Sequence, residues 1–406
     1  MKKLSYIFLL SIAMLTACND GDSDLSQLIA DYDEMSGGNI VPVSIAFDRS
    51  AIDEDAEVVP TIADDPEYYN DYIENSNFRR TVTVTYDGET ATVSGDTGGL
   101  TVSVDGAHVV INSTNTSMCY VLTGQSANGS FKIYSDHRFQ LYADNLNLTN
   151  QTGAAINSQS GKTMYFVVGT NNVTLADAGE YTSTPVGEDE KATLFSEGQI
   201  VFSGMGQLTV TSNSKNAVTS DDYVRFRVGT NVYLTSMSGH GLKTNDGVFI
   251  NGGVLNIDVR ADGMKGISSD DDIIIDGGRL TVITEGNTLV QANDTSSAAA
   301  IKCDSTLTIN GGELRLLTKG AGSKGINVNG NVYINGGDIY IVNTGANGVS
   351  KAKGLKTDAS LTVSSGHLYI YSLMANVLDA VEYNFSEGYT KYVFKPKFLE
   401  YIKLRE

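Results

Sequence analysis

The sequence predicts an all-β chain wound as a parallel β-helix, and three observations carry that reading. Forty-two glycines stand against five prolines and no tryptophan, with valine, isoleucine, threonine, tyrosine and asparagine between them, which is strand-and-turn chemistry. The stretch "KGISSDDDIIIDGG" (265–278) returns as "KGINVNGNVYINGG" (324–337) and "KGLKTDASLTVSSG" (353–366). Units anchored on the small residues Ala217, Gly241, Gly266, Ala300, Gly325 and Gly354 each place a glycine twelve positions on, while the interval between anchors varies from 24 to 34 residues. A fixed half followed by a variable half marks a structural strand segment and a loop that bulges outward.

Within the fixed half the position after the anchor is aliphatic (Val218, Leu242, Ile267, Ile301, Ile326, Leu355), and positions seven and nine are apolar, as in Ile273 and Ile275 or Leu307 and Ile309. Period two puts these on one face of a strand. After the double glycine a second alternating run follows, such as "RLTVI" or "DIYIV". A unit of about 25 residues with short strands and no helix is one rung of a solenoid that cannot bury its apolar face alone. Looser rungs precede these at 129–150, 155–175 and 192–210. Residues 79–119 are expected to form a β cap over the N-terminal end, residues 120–378 the solenoid, and residues 379–406 a tail outside the pattern.

The N-terminus "MKKLSYIFLLSIAMLTAC" reads as a lipoprotein signal peptide over 1–17, with Cys18 as the lipidated residue. The expected location is the cell outer membrane, surface-exposed and lipid-anchored. Residues 18–78 read as an acidic linker: positions 20–78 hold sixteen acidic residues against one arginine, most of the chain's net charge of −20. Such a segment reads as a solvated spacer. Nothing offers the basic stripe that nucleic acid requires, and Cys119 and Cys303 make no disulfide framework. A monomer is expected.

The order of rung types, from "YVLTGQSANGSFKIYSD" (120–136) through "GAAINSQSGK" (153–162) and "ATLFSEGQIVFSG" (192–204) to the "KGI…NGG" rungs, resembles the bacterial carbohydrate-binding domain-containing family. Those are right-handed parallel β-helices similar in shape to pectate lyases. The start "NDGDSD" after Cys18 resembles the surface-export signal of Bacteroidetes lipoproteins. The family resemblance implies binding of acidic polysaccharide or plant-wall glycan, with calcium in the turns.

Two sets of residues are candidates for that chemistry. Lys243, Lys302 and Lys356 fall in one column of the stack and Lys265, Lys324 and Lys353 in another, on a flat face where they could meet the carboxylates of a uronic-acid chain. They equally suit the role of charges that keep a sheet from pairing with others. Asp270 and Asp304 are carboxylates on neighbouring rungs, and with Asp271, Asp272 and Asp262 they form an oxygen-rich set suited to a hard cation such as calcium; the alternative is that Lys302 neutralises them. The Asn and Asp before each rung glycine (Asn251, Asp276, Asn310, Asn335) read as a structural ladder. No catalytic set is identified, so a non-enzymatic binder is expected. The alternatives are an adhesive or structural solenoid without glycan ligand and a calcium-dependent lyase using Lys265 beside Asp270.

Overall fold

A computed structural model of the chain describes residues 42–402 apart from 183, 293, 375–376, 387–389 and 396–399. The signal segment, Cys18 and the first part of the acidic segment lie outside the described residues. The chain is an all-β, right-handed parallel β-helix. A typical rung consists of three strands, Lys265–Ser269, Ile273–Ile275 and Arg279–Thr284. Each pairs in parallel with its counterparts above and below: Ile267 lies between Leu242 and Ile301, Ile273 between Val248 and Leu307, and Val282 between Ile257 and Leu316. The first strands build a twelve-stranded sheet, and the second and third build the larger one. The inward columns are fully buried, and Phe166, Phe202 and Phe226 stack along the core at centroid spacings of 5.5 and 5.0 Å.

The anchor is small because of what lies opposite. A Cβ on Gly241, Gly266, Gly325 or Gly354 would overlap a γ-methyl of Ile257, Val282, Ile341 or Ile370 on the third strand of the same rung. On the two rungs whose anchor is alanine, Ala217 and Ala300, the residue in that column is Leu234 or Leu316, which branches one carbon farther out. Gly325→Ala is therefore expected to destabilise by about 1–3 kcal/mol through overpacking, and Ile341→Leu to restore part of the loss. Urea denaturation of both variants checks this; no recovery in the pair would show that the backbone of the next rung, not Ile341, sets the limit.

The N-terminal end is closed by two hairpins. β1 (Arg80–Asp87) pairs antiparallel with β2 (Thr90–Gly95), and β3 (Leu100–Asp105) with β4 (Ala107–Ser113). β1 and β4 are already on the stack, pairing in parallel with Met118–Ser126 and Gly129–Ser135. β2 and β3 turn back over the edge, with Ala91, Val93, Leu100 and Val102 against the core. At the other end Glu382–Phe385 and Thr390–Lys395 pair in parallel with the last rung, so this part of the tail extends the stack. The long interval between Gly266 and Ala300 holds a hairpin, Leu289–Gln291 with Asp294–Ser296.

From residue 42 onward the acidic segment is a strap, not a solvated spacer. It runs against the larger sheet from the C-terminal rungs, where Val43 N–H donates to Tyr369 OH (3.3 Å), towards the N-terminal ones. Ile45 and Phe47 cover an outward apolar strip made of Ile283, Leu317, Val342 and Tyr371. Asn256 takes the strap backbone with its amide, donating to Asp48 O at 2.9 Å. Carboxylates then dock one after another: Asp48 on Arg279, Glu54 on the Gly253 N–H, Glu57 on Arg227, and Asp71 on Arg225. Five carboxylates that read as solvated from the sequence, Glu74 on Arg227 among them, are thus held by arginines and backbone amides of the solenoid.

Candidate functional site

The six candidate lysines fall on one face, the outside of the twelve-stranded sheet. In one column the register runs Thr219, Lys243, Ser268, Lys302, Asn327, Lys356. Rungs are ~4.8 Å apart, so the lysines recur about every 9.6 Å. Beside each stands a carboxylate: Lys243 pairs with Asp270, Lys302 with Asp304, and Lys356 with Asp358. Lys302 also donates to Asn329 Oδ1 (2.7 Å), whose amide donates to Asp304 Oδ1 at 2.8 Å. The acids are the more open partners, with Asp270, Asp304 and Asp358 side chains 50%, 40% and 54% exposed. The face is therefore a ladder of alternating donors and acceptors rather than a row of unpaired cations.

The second column is different. Lys324 is only 5% exposed, and its Nζ donates to Ser297 Oγ (2.6 Å), Ser350 Oγ (2.8 Å) and Gly322 O (3.2 Å). Lys265 Nζ donates to Gly263 O (2.7 Å) and Ser296 Oγ (2.5 Å). Both tie the long outer loops to the stack instead of facing a ligand. Burial, with Lys302 and Lys243 nearby, pulls Lys265 down to about 8, and burial with Lys353 and Lys356 does the same to Lys324. Lys353 pairs with Asp379. His240, in the same column, is half-buried and held down to about 3 by desolvation with Lys265 and Lys243 nearby, and its Nδ1 accepts the Lys265 N–H at 3.0 Å.

The two depressed lysines have a consequence for stability. Their folded values lie below the ordinary lysine value near 10.4, so between about pH 8 and pH 10 the unfolded chain binds more protons. Stability against urea is expected to rise on going from pH 8 to 9.5, and Lys265→Met with Lys324→Met to remove that rise. An unchanged rise in the double variant would contradict the assignment.

The five aspartates proposed for calcium are not gathered. Asp270 and Asp304 stand on adjacent rungs but each is committed to a lysine. Asp272 Oδ1 accepts Ser305 Oγ (2.6 Å) and Thr306 N–H (2.8 Å), and Asp262 Oδ1 accepts Asn287 N–H (2.7 Å), so both hold turns. Asp271 is exposed and contributes its N–H to Ser269 Oγ at 3.2 Å. Among the described residues no three His, Cys, Asp or Glu side chains are grouped to hold a metal. The arrangement does not fit calcium at that place. The reason is local: the neighbouring-rung carboxylates Asp270 and Asp304 are each met by a lysine, Lys243 and Lys302. The pairing needed by a lyase is likewise not formed, because Asp270 takes Lys243 while Lys265 faces Ser296.

The asparagine ladder before the glycines is structural, Asn335 Nδ2 donating to Asn310 Oδ1 (2.9 Å) and Asn310 Nδ2 to Asp276 Oδ1 (2.8 Å). Cys119 and Cys303 are both free and buried. Among the described residues no helix is long and apolar enough to cross a membrane. The strap contacts of Arg225, Arg227 and Arg279 escaped the sequence reading. The apolar strip under Ile45 and Phe47 did leave a signal, the broken alternation in "RLTVIT", "ELRLLT", "DIYIVN" and "HLYIYS", which puts an apolar residue on the outside of four successive rungs.

The fold is thus a parallel β-helix that carries a polar ladder on the outside of its twelve-stranded sheet. Residues 105–271 and 264–348 match the family described as carbohydrate-binding domain-containing protein, which covers more than half of the chain, and the chain belongs to that family. Among solved structures it is similar to a polysaccharide lyase-like protein from C. thermocellum, determined as a gadolinium derivative, at 18% identity and a TM-score of 0.44 over 68% of this chain and 96% of that one. No curated protein matches it.

Proposed function

We propose that this protein is a non-catalytic binder of an extended polysaccharide, which lies along the solenoid axis on the outer face of the twelve-stranded sheet. The observation that carries the reading is the ladder Thr219, Lys243, Ser268, Lys302, Asn327, Lys356 with its companions Asp270, Asp304 and Asp358. An ammonium has three donors and a carboxylate about four acceptor sites, so each pair keeps capacity towards solvent. Sugar hydroxyls both donate and accept, and a rung is close to the length of one sugar residue. Because each ladder lysine already has a carboxylate neighbour, hydroxyls rather than sugar carboxylates are the groups this face addresses. The lipid anchor at Cys18 remains part of the proposal.

The test is affinity electrophoresis in gels containing glucans, xylans, mannans or polygalacturonate. Retardation by at least one polymer is expected, with Lys243→Ala, Lys302→Ala and Lys356→Ala together weakening it tenfold or more. No retardation by any polymer would favour a purely structural solenoid. Release of unsaturated product from polygalacturonate would overturn the non-catalytic reading.

A further inference from the structure

The column that carries the ladder does not begin at Thr219. Below it the register continues through Phe195 and Asn157 to Lys132, three more rungs on the same outer face. Phe195 points outward, because strand residues alternate and its neighbour Leu194 belongs to the interior cluster. Yet Phe195 is 0% exposed and Asn157 only 2%. A segment outside the stack covers them.

That segment is the acidic stretch "TPVGEDEK" (184–191). Glu188 pairs with Lys132 and accepts the Tyr134 hydroxyl at 2.5 Å. Glu190 Oε1 accepts Asn157 Nδ2 (3.2 Å) and the Ala154 N–H (3.1 Å), and its Oε2 accepts Thr184 Oγ1 at 2.5 Å. Lys191 Nζ lies 5.7 Å from the centre of the Phe195 ring and reaches Asp221, one rung farther up, at 2.7 Å. The stretch therefore crosses three rungs in order, with Glu188 on the Lys132 rung, Glu190 on the Asn157 rung and Lys191 over Phe195. Gln159 Nε2 holds its backbone as well, donating to Asp189 O at 2.6 Å.

These contacts repeat the chemistry of the ladder with one partner of each pair brought in from the loop. Lys243, Lys302 and Lys356 meet acids of the turns that stay open to solvent, at 50%, 40% and 54% exposure, whereas the Glu188 side chain on Lys132 is only 21% exposed. A carboxylate has about four acceptor sites, and Glu190 already receives three donors. The hydrogen-bonding capacity that the ladder offers outward is thus taken up on these three rungs. At the other end the column runs from Lys356 to Asp379, on the last strand of that sheet among the described residues. We infer that residues 184–191 are a built-in stop, which holds the first rungs of the column closed so that a polysaccharide on the ladder is bounded at Thr219 and any excess length runs past Lys356. Glu188 and Glu190 set that limit. The stop rests on the ladder reading of function but concerns the length of chain the ladder accepts, and one arm of its test needs no glycan.

The natural chain has no tryptophan, so Phe195→Trp places a single fluorophore under the stop. Its emission is expected to be shielded from acrylamide, and Glu188→Lys with Glu190→Ala to raise the quenching constant at least threefold. Should Phe195→Trp not fold, hydrogen exchange over residues 192–196 of the chain with its own Phe195 gives the same reading, faster in the acid variant than in wild type. The second arm titrates the full chain with cello-, xylo-, manno- and galacturono-oligosaccharides of increasing length. In wild type the gain per added residue should level off once the ladder is covered, and in the Glu188→Lys, Glu190→Ala variant about three residues later, one for each uncovered rung. Unchanged quenching and exchange, or levelling off at the same length in both forms, would overturn the stop and leave the ladder standing. Failure of every series with both forms would overturn the ladder and the stop together.

Discussion

Arg225→Ala is expected to cost about 3–5 kcal/mol of strap docking, because it strands a buried carboxylate. Asp71 and Arg225 have side chains only 3% and 6% exposed and meet at 2.7 Å. Arg225 is also sandwiched between Tyr68 and Phe249, at 4.8 and 4.5 Å from the ring centroids, and donates to Asn251 Oδ1 at 2.9 Å. Asp71 accepts the Tyr223 hydroxyl at 2.5 Å as well. Burial pushes its carboxyl up while Arg225 and the Tyr223 hydroxyl pull it down, so removing the arginine leaves burial opposed by the Tyr223 hydrogen bond. Asp71→Asn keeps an acceptor for Arg225 and should cost less. Replacing both, Asp71→Leu with Arg225→Met, should recover much of the loss, since an apolar pair of similar volume often substitutes for a buried ion pair. Hydrogen exchange is the suitable readout, because a stacked solenoid need not unfold as one unit. Residues 60–78 should lose protection in Arg225→Ala while rungs beyond residue 300 keep theirs; unchanged protection of the strap would show that its other contacts, Glu57 and Glu74 on Arg227 among them, hold it without Arg225.

Gly312→Ala is the second large effect, and Gly229→Ala is its control. Both glycines close the same turn on different rungs, with φ of +84° and +81°. An alanine at either position bears a left-handed strain of roughly 1–2 kcal/mol. At Gly229 a Cβ meets nothing within 4 Å, whereas at Gly312 it would lie 2.7 Å from Gly278 O and 2.8 Å from Gly277 C. Those are backbone atoms of the rung below, which cannot step aside without opening the stack, and the overpacking adds about 1–3 kcal/mol. Gly312→Ala is expected to lose about 2–5 kcal/mol and Gly229→Ala no more than about 2. Equal losses in urea denaturation would mean that conformation alone, and not contact between rungs, explains the glycine column.

The glycine column was legible because one physical demand recurs on every rung. The same holds for the inward aliphatics such as Ile267 and Ile301, and for the placement of the lysines in two columns on one sheet. What the repeat hides is anything that happens once. The partner of Asp270 is Lys243, one rung away, where the sequence suggested Asp304 and a cation; a repeat gives the column but not which neighbour a flexible side chain reaches. Lys265 and Lys324 look as exposed as Lys243 in sequence, yet outer loops that differ between rungs cover them. The strap was the largest omission. Its acids suggested solvent because their partners, Arg225, Arg227 and Arg279, lie more than 150 positions away. The contact of Phe78 and Asn70 with Tyr165 joins two segments with no shared pattern, and no periodicity could have brought them together.

The most direct test is the dependence of affinity on glycan length. The ladder spans six rungs, from Thr219 to Lys356, each about the length of one sugar residue. With oligosaccharides of whichever polymer retards the protein, the dissociation constant should fall with each added residue until the ladder is covered and then level off. In the Lys243, Lys302 and Lys356 triple alanine variant that gain with length should be lost. Affinity that is already complete at the disaccharide, or a length dependence untouched by the triple variant, would contradict binding along the solenoid axis.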